Sequence, residues 1–395
     1  MSCFLFFEGI RPDPPHKGLS KELVEFLDSV PDYRRTDKGN FVHTLRDILL
    51  LELMARLAKC VMRKEIIDFG KRHLAALRKM GILAKGVPSE PTLCRVSKKT
   101  DSQAFAEKMH GFVATHMLRK DGDQLEIVAV DGKCMRGTAL PNGRQLDIVS
   151  AHSVSNDMTI CTEMCEEKSN EIKTDPSVIE KSVHDGDIVT LDAMGCQENI
   201  IKVIKARKAH FLIEVKANQK KLRWGVEDRI KSATPIESYT SEPSLSSGRI
   251  SVRRCKTYSG VDVMVDKDKW GAQMTVVIIE VDTMDKSTGR TTCDVRMYIT
   301  DLTLGADILD TVSRLHWGVE VTHWHLDYNM KQDGIKRKHK NAAMYLDTIQ
   351  RLCLNVLSKW RSNRKKKCDK ARGNAELMRK CLFNFAFIKE LLSLK

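Results

Sequence analysis

Two aspartates stand at the ends of apolar runs that are typical of buried strands. Asp131 follows EIVAV and precedes a Gly-Lys pair, and Asp192 follows IVTL in the stretch DIVTLDAMG. Two carboxylates held close together repel each other unless a cation lies between them. Oxygen ligands suit Mg²⁺ or Mn²⁺, which bind few carboxylates and keep waters and substrate phosphates as further ligands. The alternative for Asp131 is a strand stop, because Asp-Gly is a common turn signal.

A third acid for such a site is found in a helical pattern late in the chain. In WGVEVTHWHLD, Glu320, Trp324 and Asp327 recur at i, i+4 and i+7, and Trp317 lies about one turn before Glu320. A separate and mostly apolar stripe is expected to face the core; it consists of Leu315, Val319, Thr322 and Leu326. Glu320 is therefore either a catalytic ligand or a surface residue whose neighbours pack against another domain.

The charge balance of the chain indicates a polyanionic partner. The 395 residues include 66 Lys and Arg against 52 Asp and Glu, a formal net charge of +14. Nucleic acid fits this charge, and so does an anionic membrane surface. No apolar run approaches the roughly 18 residues of a membrane span. The opening MSCFLFFEGIRPDPP has an apolar patch that is too short for a signal peptide. We therefore expect a soluble, cytoplasmic protein without a membrane partner.

Cysteine and histidine usage does not indicate a structural zinc site. The 12 cysteines are scattered and form no CxxC pair, so free thiols in a reducing compartment are the favoured interpretation. Packing or phosphate contacts are favoured over zinc for His316, His323 and His325. A nucleotide-dependent enzyme is disfavoured as well, because neither GxGxxG nor GxxxxGK[ST] follows any predicted strand.

The first part of the chain has the pattern of a helical domain. The stretch 45–61 is apolar nearly all round and predicts a buried helix, with further helices near 64–81 and 102–118. Within 86–100, Pro91 suits a helix start, and the helix after it carries Arg95, Lys98 and Lys99. This helix is either a DNA-reading element or an ordinary helix with a solvated basic face.

From residue 125 the pattern changes to that of a mixed sheet flanked by helices. LEIVAV, QLDIVSAHSV and MTICTEM predict three strands, the last two joined around Asn156-Asp157. The next predicted elements are a helix near 175–183, the strand that ends at Asp192, a helix over 196–208 and a strand passing into helix over 210–222. The predicted order is β-β-β-α-β-α-β-α, an α/β class fold.

The remainder divides into strand-rich and helical segments. Strand signals dominate 223–305, helical patterns return in 307–330 and 345–360, and 361–372 is a charge run that is either solvated or in contact with phosphate. We expect a helical N-terminal domain over residues 1–120 and the first part of a catalytic core over 121–222. A β-rich insertion over 223–305, a helical completion of the core over 306–362 and a basic tail over 363–395 are expected to follow.

Several motifs together resemble those of a known protein family. VAVDGKCMRG, EKSNEI (167–172), TLDAMGCQ, VKANQ (215–219), LHWGVEVTHWHLD and RLCLNVL are similar to segments of bacterial insertion-sequence transposases of the DDE class, in the H-repeat-associated group. TLDAMGCQ and HWGVE are the specific matches, and the similarity covers roughly residues 20–360. It implies a ribonuclease-H-like core with Asp131, Asp192 and Glu320 as the catalytic acids.

The chain departs from the related signature around the third acid. Related transposases carry Tyr, Arg and Lys where this sequence has Ser313, His316 and Asp327. Asp327 is therefore a rival third ligand. Steering of phosphate is left to other cations, for which the candidates are Lys133, Arg136 and Lys216.

Asn218 and Gln219 are candidates at the end of a predicted strand. They either contact DNA or order the site, and Asn218 is equally suited to a helix cap.

The resemblance implies phosphoryl transfer assisted by two Mg²⁺ or Mn²⁺ ions, with Asp131 shared between them and Asp192 and Glu320 each holding one. It also implies double-stranded DNA, both element ends and target, as the partner, a homodimer when assembled on DNA, and a nucleoid location. The alternative functions are a transposase-derived DNA-binding protein without catalytic activity and a repair nuclease of the same fold.

Overall fold

The computed structural model describes residues 17–35, 42–118, 126–138, 143–165, 171–271 and 273–394. The opening MSCFLFFEGIRPDPP lies outside these ranges, as do residues 167–170 of the EKSNEI motif. Within the described ranges, no helix has both the length and the apolar character needed to cross a bilayer.

Six α-helices precede the first described strand: α1 (Lys21–Asp28), α2 (Leu45–Leu57), α3 (Arg63–Arg72), α4 (Leu74–Lys79), α5 (Glu90–Lys99) and α6 (Ser102–Phe112), the last continued by a π-helical turn over Val113–Met117. Every residue of α2 is buried, which confirms the helix expected from its apolar circumference. The helical pattern near 64–81 is confirmed as two helices, α3 and α4, which meet at His73; this residue is the C-cap of α3 and the N-cap of α4.

The predicted β-β-β-α-β-α-β-α order is confirmed. The strands are β1 (Ile127–Met135), β2 (Leu146–Ser153), β3 (Met158–Met164), β4 (Ile188–Leu191) and β5 (His210–Val215). The helices are α7 (Glu171–Ser182), α8 (Glu198–Ala206) and α9 (Lys220–Arg229). In space the strands lie in the order β3-β2-β1-β4-β5. β1 is parallel to β4, β4 is parallel to β5, and the β1-β2 and β2-β3 pairs are antiparallel.

Strand β1 does not stop at Asp131, so the strand-stop interpretation is wrong. The strand continues through Gly132 to Met135 and stays paired with β2, with Gly132 opposite Val149. Its pairing with β4 ends earlier, at Val130 opposite Leu191. The polar residues begin where β1 passes the end of β4, because the strand is no longer enclosed on that side.

The strand-rich segment extends this same sheet. Its strands are β6 (Glu237–Thr240), β7 (Ser244–Ser246), β8 (Arg249–Ser259), β9 (Thr275–Asp285) and β10 (Thr291–Thr300), with α10 (Gly260–Val263) and α11 (Lys267–Trp270) between β8 and β9. β10 pairs antiparallel with β5. The described part of the chain therefore forms one mixed, mostly antiparallel sheet of ten strands, with helices on both faces.

The last helices are α12 (Ala306–Leu315), α13 (Trp317–Tyr328), α14 (Lys340–Ser362), α15 (Lys367–Lys370), α16 (Asn374–Phe383) and α17 (Phe385–Leu392). The pattern predicted over 307–330 is helical, but His316 divides it into α12 and α13. Helix α14 is buried along most of its length because it packs against α2, α5 and α6 as well as against β2 and β3.

The expectation of a basic C-terminal tail is wrong for residues 374–392. Leu377, Phe387 and Leu391 are buried in the main apolar cluster, so α16 and α17 are part of the helical layer. The backbone N–H of Ser20 also donates to the carbonyl of Leu392 at 2.9 Å. Apolar residues at helical spacing decide the structure here, and the preceding charge run remains largely exposed.

The two faces of the sheet have separate cores. Val128 and Val130 belong to the cluster that includes residues of α7, α8 and α14, whereas Ile127 packs against the cluster that includes residues of α12. Because side chains alternate along a strand, Asp131 lies on the α12 side of β1, and the α-hydrogens of Gly132 lie on the α7 side.

A buried ion pair lies within α14 and contacts the sheet, because Arg351 Nη1 also donates to Thr159 Oγ1 on β3 at 3.4 Å. Arg351 Nε lies 2.8 Å from Asp347 Oδ2 on α14, and both side chains are fully buried. Gln332 Nε2 also donates to Asp347 Oδ1 at 3.0 Å. Removing one partner of such a pair leaves an uncompensated charge in the interior.

Replacing Arg351 by Met should therefore lower the free energy of unfolding by about 3–5 kcal/mol. Urea unfolding followed by circular dichroism measures this loss. The matched double variant Arg351→Met with Asp347→Leu should recover part of the loss, because it removes the unpaired carboxylate as well. A double variant that is less stable than the single one would contradict this account.

Candidate active site

Asp131 and Asp192 are brought side by side by the register of two parallel strands. Ala129 pairs with Thr190 and Val130 with Leu191, so the next residues in this register are the two aspartates. Neighbouring strands lie about 4.8 Å apart. Asp192 has extended backbone angles, with φ −69° and ψ 179°. The structure thus brings these two predicted residues together at one edge of the sheet.

The Asp192 carboxylate is held by the turn that follows it. Its Oδ1 accepts hydrogen bonds from the backbone N–H of Met194 at 2.9 Å and of Gly195 at 3.3 Å. Burial raises the pKa of Asp192 and the charge of Asp131 raises it further, while these two N–H groups act in the opposite direction. The local structure therefore fixes one carboxylate oxygen of Asp192.

Asn218 and Gln219 fasten the turn after β5 to the turn after Asp192. The side-chain amide of Asn218 donates to the carbonyl of Ala193, and Gln219 Nε2 donates to the carbonyl of Cys196 at 2.8 Å. Helix α9 has no side-chain cap, so the cap interpretation of Asn218 is wrong. Of the alternatives left open by the sequence, the contacts favour the ordering role.

One face of α13 lies against these strand ends. His316 Nδ1 is 2.9 Å from Thr190 Oγ1 on β4, and His323 Nδ1 is 3.3 Å from Asp131 Oδ2 on β1. These two histidines are seven residues apart, so they share a helix face. Glu320 lies between them on that face, four residues after His316 and three before His323.

Glu320 itself is exposed, so its side chain has room to turn. Among the described residues, no three His, Cys, Asp or Glu side chains converge closely enough to hold a metal ion. The structure therefore places Glu320 on the helix face that meets the two aspartates but does not bring its carboxylate into contact with them.

The remaining faces of α13 differ in part from expectation. Val319, Thr322 and Leu326 are buried, which confirms that part of the core stripe. Leu315 is 37% exposed, because α12 ends there and α13 starts with a new phase. The tryptophans do not flank Glu320 toward the site; an outer, exposed ridge carries them together with an aliphatic and a tyrosine side chain: Trp317, Val321, Trp324 and Tyr328.

Asp327 is paired with Lys133. Lys133 Nζ lies 2.8 Å from Asp327 Oδ1 and 3.3 Å from Asp333 Oδ1, and the lysine side chain is only 6% exposed. This geometry leaves Lys133 little access to a DNA phosphate. It also gives the Asp327 carboxylate a partner cation of its own.

Several basic side chains of the expected DNA-binding set are exposed. Arg136 follows the end of β1, Lys216 follows β5 and lies 2.8 Å from Glu214, and Arg95 and Lys98 lie on α5. Helix α5 packs against α3 and α14, so the last two belong to the helical layer and not to the strand ends.

Sequence reasoning missed a basic segment beside Arg136. An isolated parallel bridge pairs Thr138 with Arg337, which places the segment KRKHK, residues 336–340, next to the end of β1. Lys336, Lys338 and Lys340 in it are exposed. The signal in the sequence is this short cluster of cations immediately before α14.

Two acids on α7 were also missed. A Cβ built on Gly132 would lie 2.0 Å from Oε1 of Glu171, so the Glu171 carboxyl occupies the space beside Asp131 that a side chain would fill. Burial, with the charges of Asp131 and Asp192, raises the pKa of Glu171 to about 7. Burial, with the charge of Glu171 first among its neighbours, raises the pKa of Asp175 to about 8. The i, i+4 spacing of these acids is the signal the sequence carried.

The chemistry of the donors fits a hard divalent cation, although no three of the described acids converge. Asp131, Asp192 and Glu171 offer carboxylate oxygens, and burial and neighbouring acids raise the pKa of Glu171 and of Asp175. Mg²⁺ and Mn²⁺ prefer such oxygen ligands.

Two family models match the chain. The "DDE_Tnp_1-associated" model matches residues 24–113, and the "Transposase DDE domain" model matches residues 122–355. The second match alone covers more than half of the chain. Its span includes β1 with Asp131, β4 with Asp192 directly after it, and α13 with Glu320.

Similar proteins occur in Escherichia coli. "Putative transposase YncI" of strain O157:H7 is 30% identical over 94% of this chain and 95% of its own length. "H repeat-associated putative transposase YhhI" of strain K12 is 29% identical over 86% of this chain and 90% of its own length. A solved piggyBac transposase synaptic complex with hairpin DNA aligns over 94% of this chain and 78% of that one, with 11% identity and a TM-score of 0.47; this likeness is too distant to inform mechanism.

The family models and the relatives agree over both the helical layer and the sheet. The chain therefore belongs to the DDE transposase family, in the insertion-sequence group that includes the H-repeat-associated proteins of E. coli.

Proposed function

We propose that this protein is a metal-dependent transposase that cleaves DNA at insertion-sequence ends and joins the freed 3′-hydroxyl to target DNA. The observation that carries this proposal is the parallel register of β1 and β4, which sets Asp131 beside Asp192. Helix α13 carries the exposed Glu320; His323 on this helix contacts β1, and His316 just before it contacts β4. Two acids at strand ends and a third on a facing helix offer the carboxylate ligands that Mg²⁺ uses, and paired Mg²⁺ ions are suited to phosphoryl transfer.

We infer that the core is ribonuclease-H-like. The strand order β3-β2-β1-β4-β5, antiparallel over the first three strands and parallel from β1 to β5, supports this assignment. So does the location of the acids, one within the central strand β1 and one at the end of its neighbour β4. Side chains at strand ends leave the core while the backbone stays rigid.

Asp131, Asp192 and Glu320 are the residues that would hold two Mg²⁺ or Mn²⁺ ions. Such ions, when bound, stabilise both the attacking and the leaving oxygens of an in-line displacement. His323 positions Asp131, since its other ring nitrogen, Nε2, lies 3.2 Å from Ser150 Oγ. Burial lowers the pKa of His323 against the opposing effect of Asp131, which favours the neutral ring. Asn218 and Gln219 hold the Asp192 turn in place.

The reaction needs no covalent intermediate on the protein. In the first step a water oxygen bonds to the phosphorus, the bond to the 3′ oxygen breaks, and that oxygen takes a proton to become a 3′-hydroxyl. In the second step this hydroxyl oxygen bonds to a target phosphorus and displaces the target's 3′ oxygen. One phosphodiester replaces another, so the side chains of the site need not act as nucleophiles.

The DNA path is proposed to run over exposed cations at the carboxyl ends of the central strands. Arg136, Lys216 and the segment 336–340 lie at or beside these ends, while Arg95 and Lys98 on α5 would contact DNA further along. Lys133 is assigned a structural role instead, because it is buried between Asp327 and Asp333. The partner is double-stranded DNA, element ends and target, bound by a homodimer in the nucleoid.

The alternative function is a transposase-derived DNA-binding protein without catalytic activity. One observation favours it: the described acids do not converge in a group of three. Metal-dependent nicking of supercoiled DNA that carries the element ends discriminates between the two functions, since the alternative predicts binding without cleavage. The same DNA without its inverted repeats separates a transposase from a repair nuclease.

Asp131→Asn and Asp192→Asn should each lower the rate of metal-dependent nicking by several orders of magnitude, while DNA binding persists. The reason is that each substitution removes a charged ligand but keeps the shape of the side chain. Nicking gels with Mg²⁺ or Mn²⁺ and a gel-shift assay on the same DNA measure the two activities. Cleavage at an undiminished rate in either variant would remove that residue from the mechanism.

Glu320→Ala and Asp327→Ala should separate the two candidate third ligands. Glu320→Ala should abolish nicking without a change in the melting temperature, because Glu320 is exposed. Asp327→Ala should retain most of the nicking activity and lower the melting temperature, because it removes a partner of buried Lys133. The reverse pattern would make Asp327 the ligand.

Replacing Lys336, Lys338 and Lys340 together by Ala should weaken DNA binding. It should also reduce the slope of log affinity against log salt by roughly 0.9 for each DNA phosphate that the protein no longer neutralises. Fluorescence anisotropy over a salt series measures both quantities. The matched control replaces Lys365, Lys366 and Lys367, which are exposed in the charge run where α15 begins. An equal effect of the control would show that the net charge, and not the position of the segment, governs binding.

A further inference from the structure

The first turn of α7 places a carboxylate directly against the strand that carries Asp131. The Glu171 carboxyl fills the space above the Gly132 Cα, where a Cβ would lie 2.0 Å from both Cδ and Oε1. A glycine within a paired strand is normally a cost. Here its missing side chain admits an acid from the opposite face of the sheet, one residue from the proposed ligand.

Both faces of the sheet are accessible beside β1 at this point, because the neighbouring strand has ended. β1 pairs with β4 only as far as Val130 opposite Leu191. Beyond that pair, the described residues provide no strand on this side of β1 until the bridge between Thr138 and Arg337. A carboxylate from α7 and one from α13 can therefore approach the same edge of β1. Helix α7 also contacts the turn that follows Asp192.

A second observation comes from Asp175, one turn along the same helix. Asp175 is 4% exposed, and its carboxyl has no hydrogen bond or ion pair within the described part of the chain. The neighbours that act on it are Glu171, Asp192 and Asp131, all of them acids. A buried carboxyl whose described neighbours are acids can keep its charge only where a cation offsets that charge; otherwise it takes up a proton.

Lys173 lies between the two acids on α7, but its side chain is exposed and it is not among the groups that act on the pKa of either acid. Two other lysines, one on β1 and one on α7, are paired with acids elsewhere. Lys133 is held by Asp327 and Asp333. Lys181, at the far end of α7, is held by Glu163. The oxygen-only donor set on the α7 side of β1 thus matches a hard divalent ion, as does the pair of aspartates.

We propose that the Glu171 carboxylate is a fourth ligand of the divalent-cation site and that Asp175 positions it; the proposal rests on the metal-dependent function proposed above. Glu171 would bind the ion together with Asp131 and Asp192. Asp175 is buried one turn further along the same helix, at i+4, and it would limit the positions that the Glu171 side chain can take. Gly132 belongs to the site because any side chain there would displace Glu171.

The direct test is to titrate the full-length protein, without DNA, with Mn²⁺ and to measure the free ion by electron paramagnetic resonance. Glu171→Gln should weaken binding by about 10-fold or more, the range found when residues around a metal are altered. Gly132→Ala should weaken it as much, although it removes no charged group. The matched control is Glu180→Gln, the same substitution at an exposed position of the same helix, which should bind as the wild type does.

Melting temperatures distinguish a ligand from a structural residue. Glu171→Gln should melt at the same or a higher temperature than the wild type in EDTA, because it relieves repulsion between carboxylates. Addition of Mn²⁺ should raise the melting temperature of this variant by less than it raises that of the wild type. A merely structural Glu171 predicts a lower melting temperature in EDTA and an unchanged gain.

The positioning role of Asp175 predicts non-additivity. Asp175→Asn should weaken Mn²⁺ binding less than Glu171→Gln does, and the double variant should bind no more weakly than Glu171→Gln alone. Additive losses would make Asp175 an independent ligand and overturn its assigned role.

The failure of this proposal is distinct from failure of the proposed function. Wild-type affinity in both Glu171→Gln and Gly132→Ala, together with loss of binding in Asp131→Asn, would exclude the fourth ligand and leave the three-acid site intact. Weakening in Glu171→Gln with wild-type binding in Gly132→Ala would also overturn the proposal, because it places the carboxylate elsewhere. A wild-type protein that binds no Mn²⁺ would remove both.

Discussion

The parallel pairing of β1 with β4 is the constraint on which the site depends. It fixes Asp131 and Asp192 side by side through backbone hydrogen bonds alone, before any side chain contributes. The cost of two neighbouring carboxylates is visible in Asp192, whose pKa burial and Asp131 both raise. A shift of one residue in this register would move one aspartate to the other face of the sheet, so the strand pairing determines the chemistry.

The surrounding elements hold this pair from three directions. Helix α13 contacts Asp131 through His323, and His316 just before this helix contacts Thr190 on β4. The turn after β5 holds the Asp192 loop through Asn218 and Gln219, and α7 approaches from the opposite face at Gly132. Each of these contacts joins segments that are distant in sequence. The strand-rich segment supports them by extending the sheet at β5.

The sequence predicted the elements more completely than it predicted their contacts. Strand alternation and helical periodicity are local, and they indicated the order of the core, the buried α2 and the buried side of α13. The strand stop at Asp131 was wrong because Asp-Gly is compatible with both a turn and an open strand, and only the partner strand decides. The two Asp and the helix with Glu320 were found from the sequence, but Glu171 was not. Its role depends on a missing Cβ at Gly132, across the sheet, which no periodicity encodes. The basic tail was mistaken for the same reason, since the core that receives Leu377 and Phe387 is built by residues hundreds of positions earlier.

Helix α14 has a consequence for biosynthesis. The wholly buried α2 packs against it, with Tyr345 Oη 3.3 Å from Glu52 Oε1 and Cys353 Sγ 3.7 Å from the carbonyl of Leu53. About 280 residues separate the end of α2 from the start of α14. At bacterial translation rates of roughly 5–20 residues per second, α2 therefore leaves the ribosome tens of seconds before its partner does. During that interval α2 can pack only against helices that are already synthesised, such as α1 and α3, and the apolar surface that α14 covers in the folded protein stays open to water.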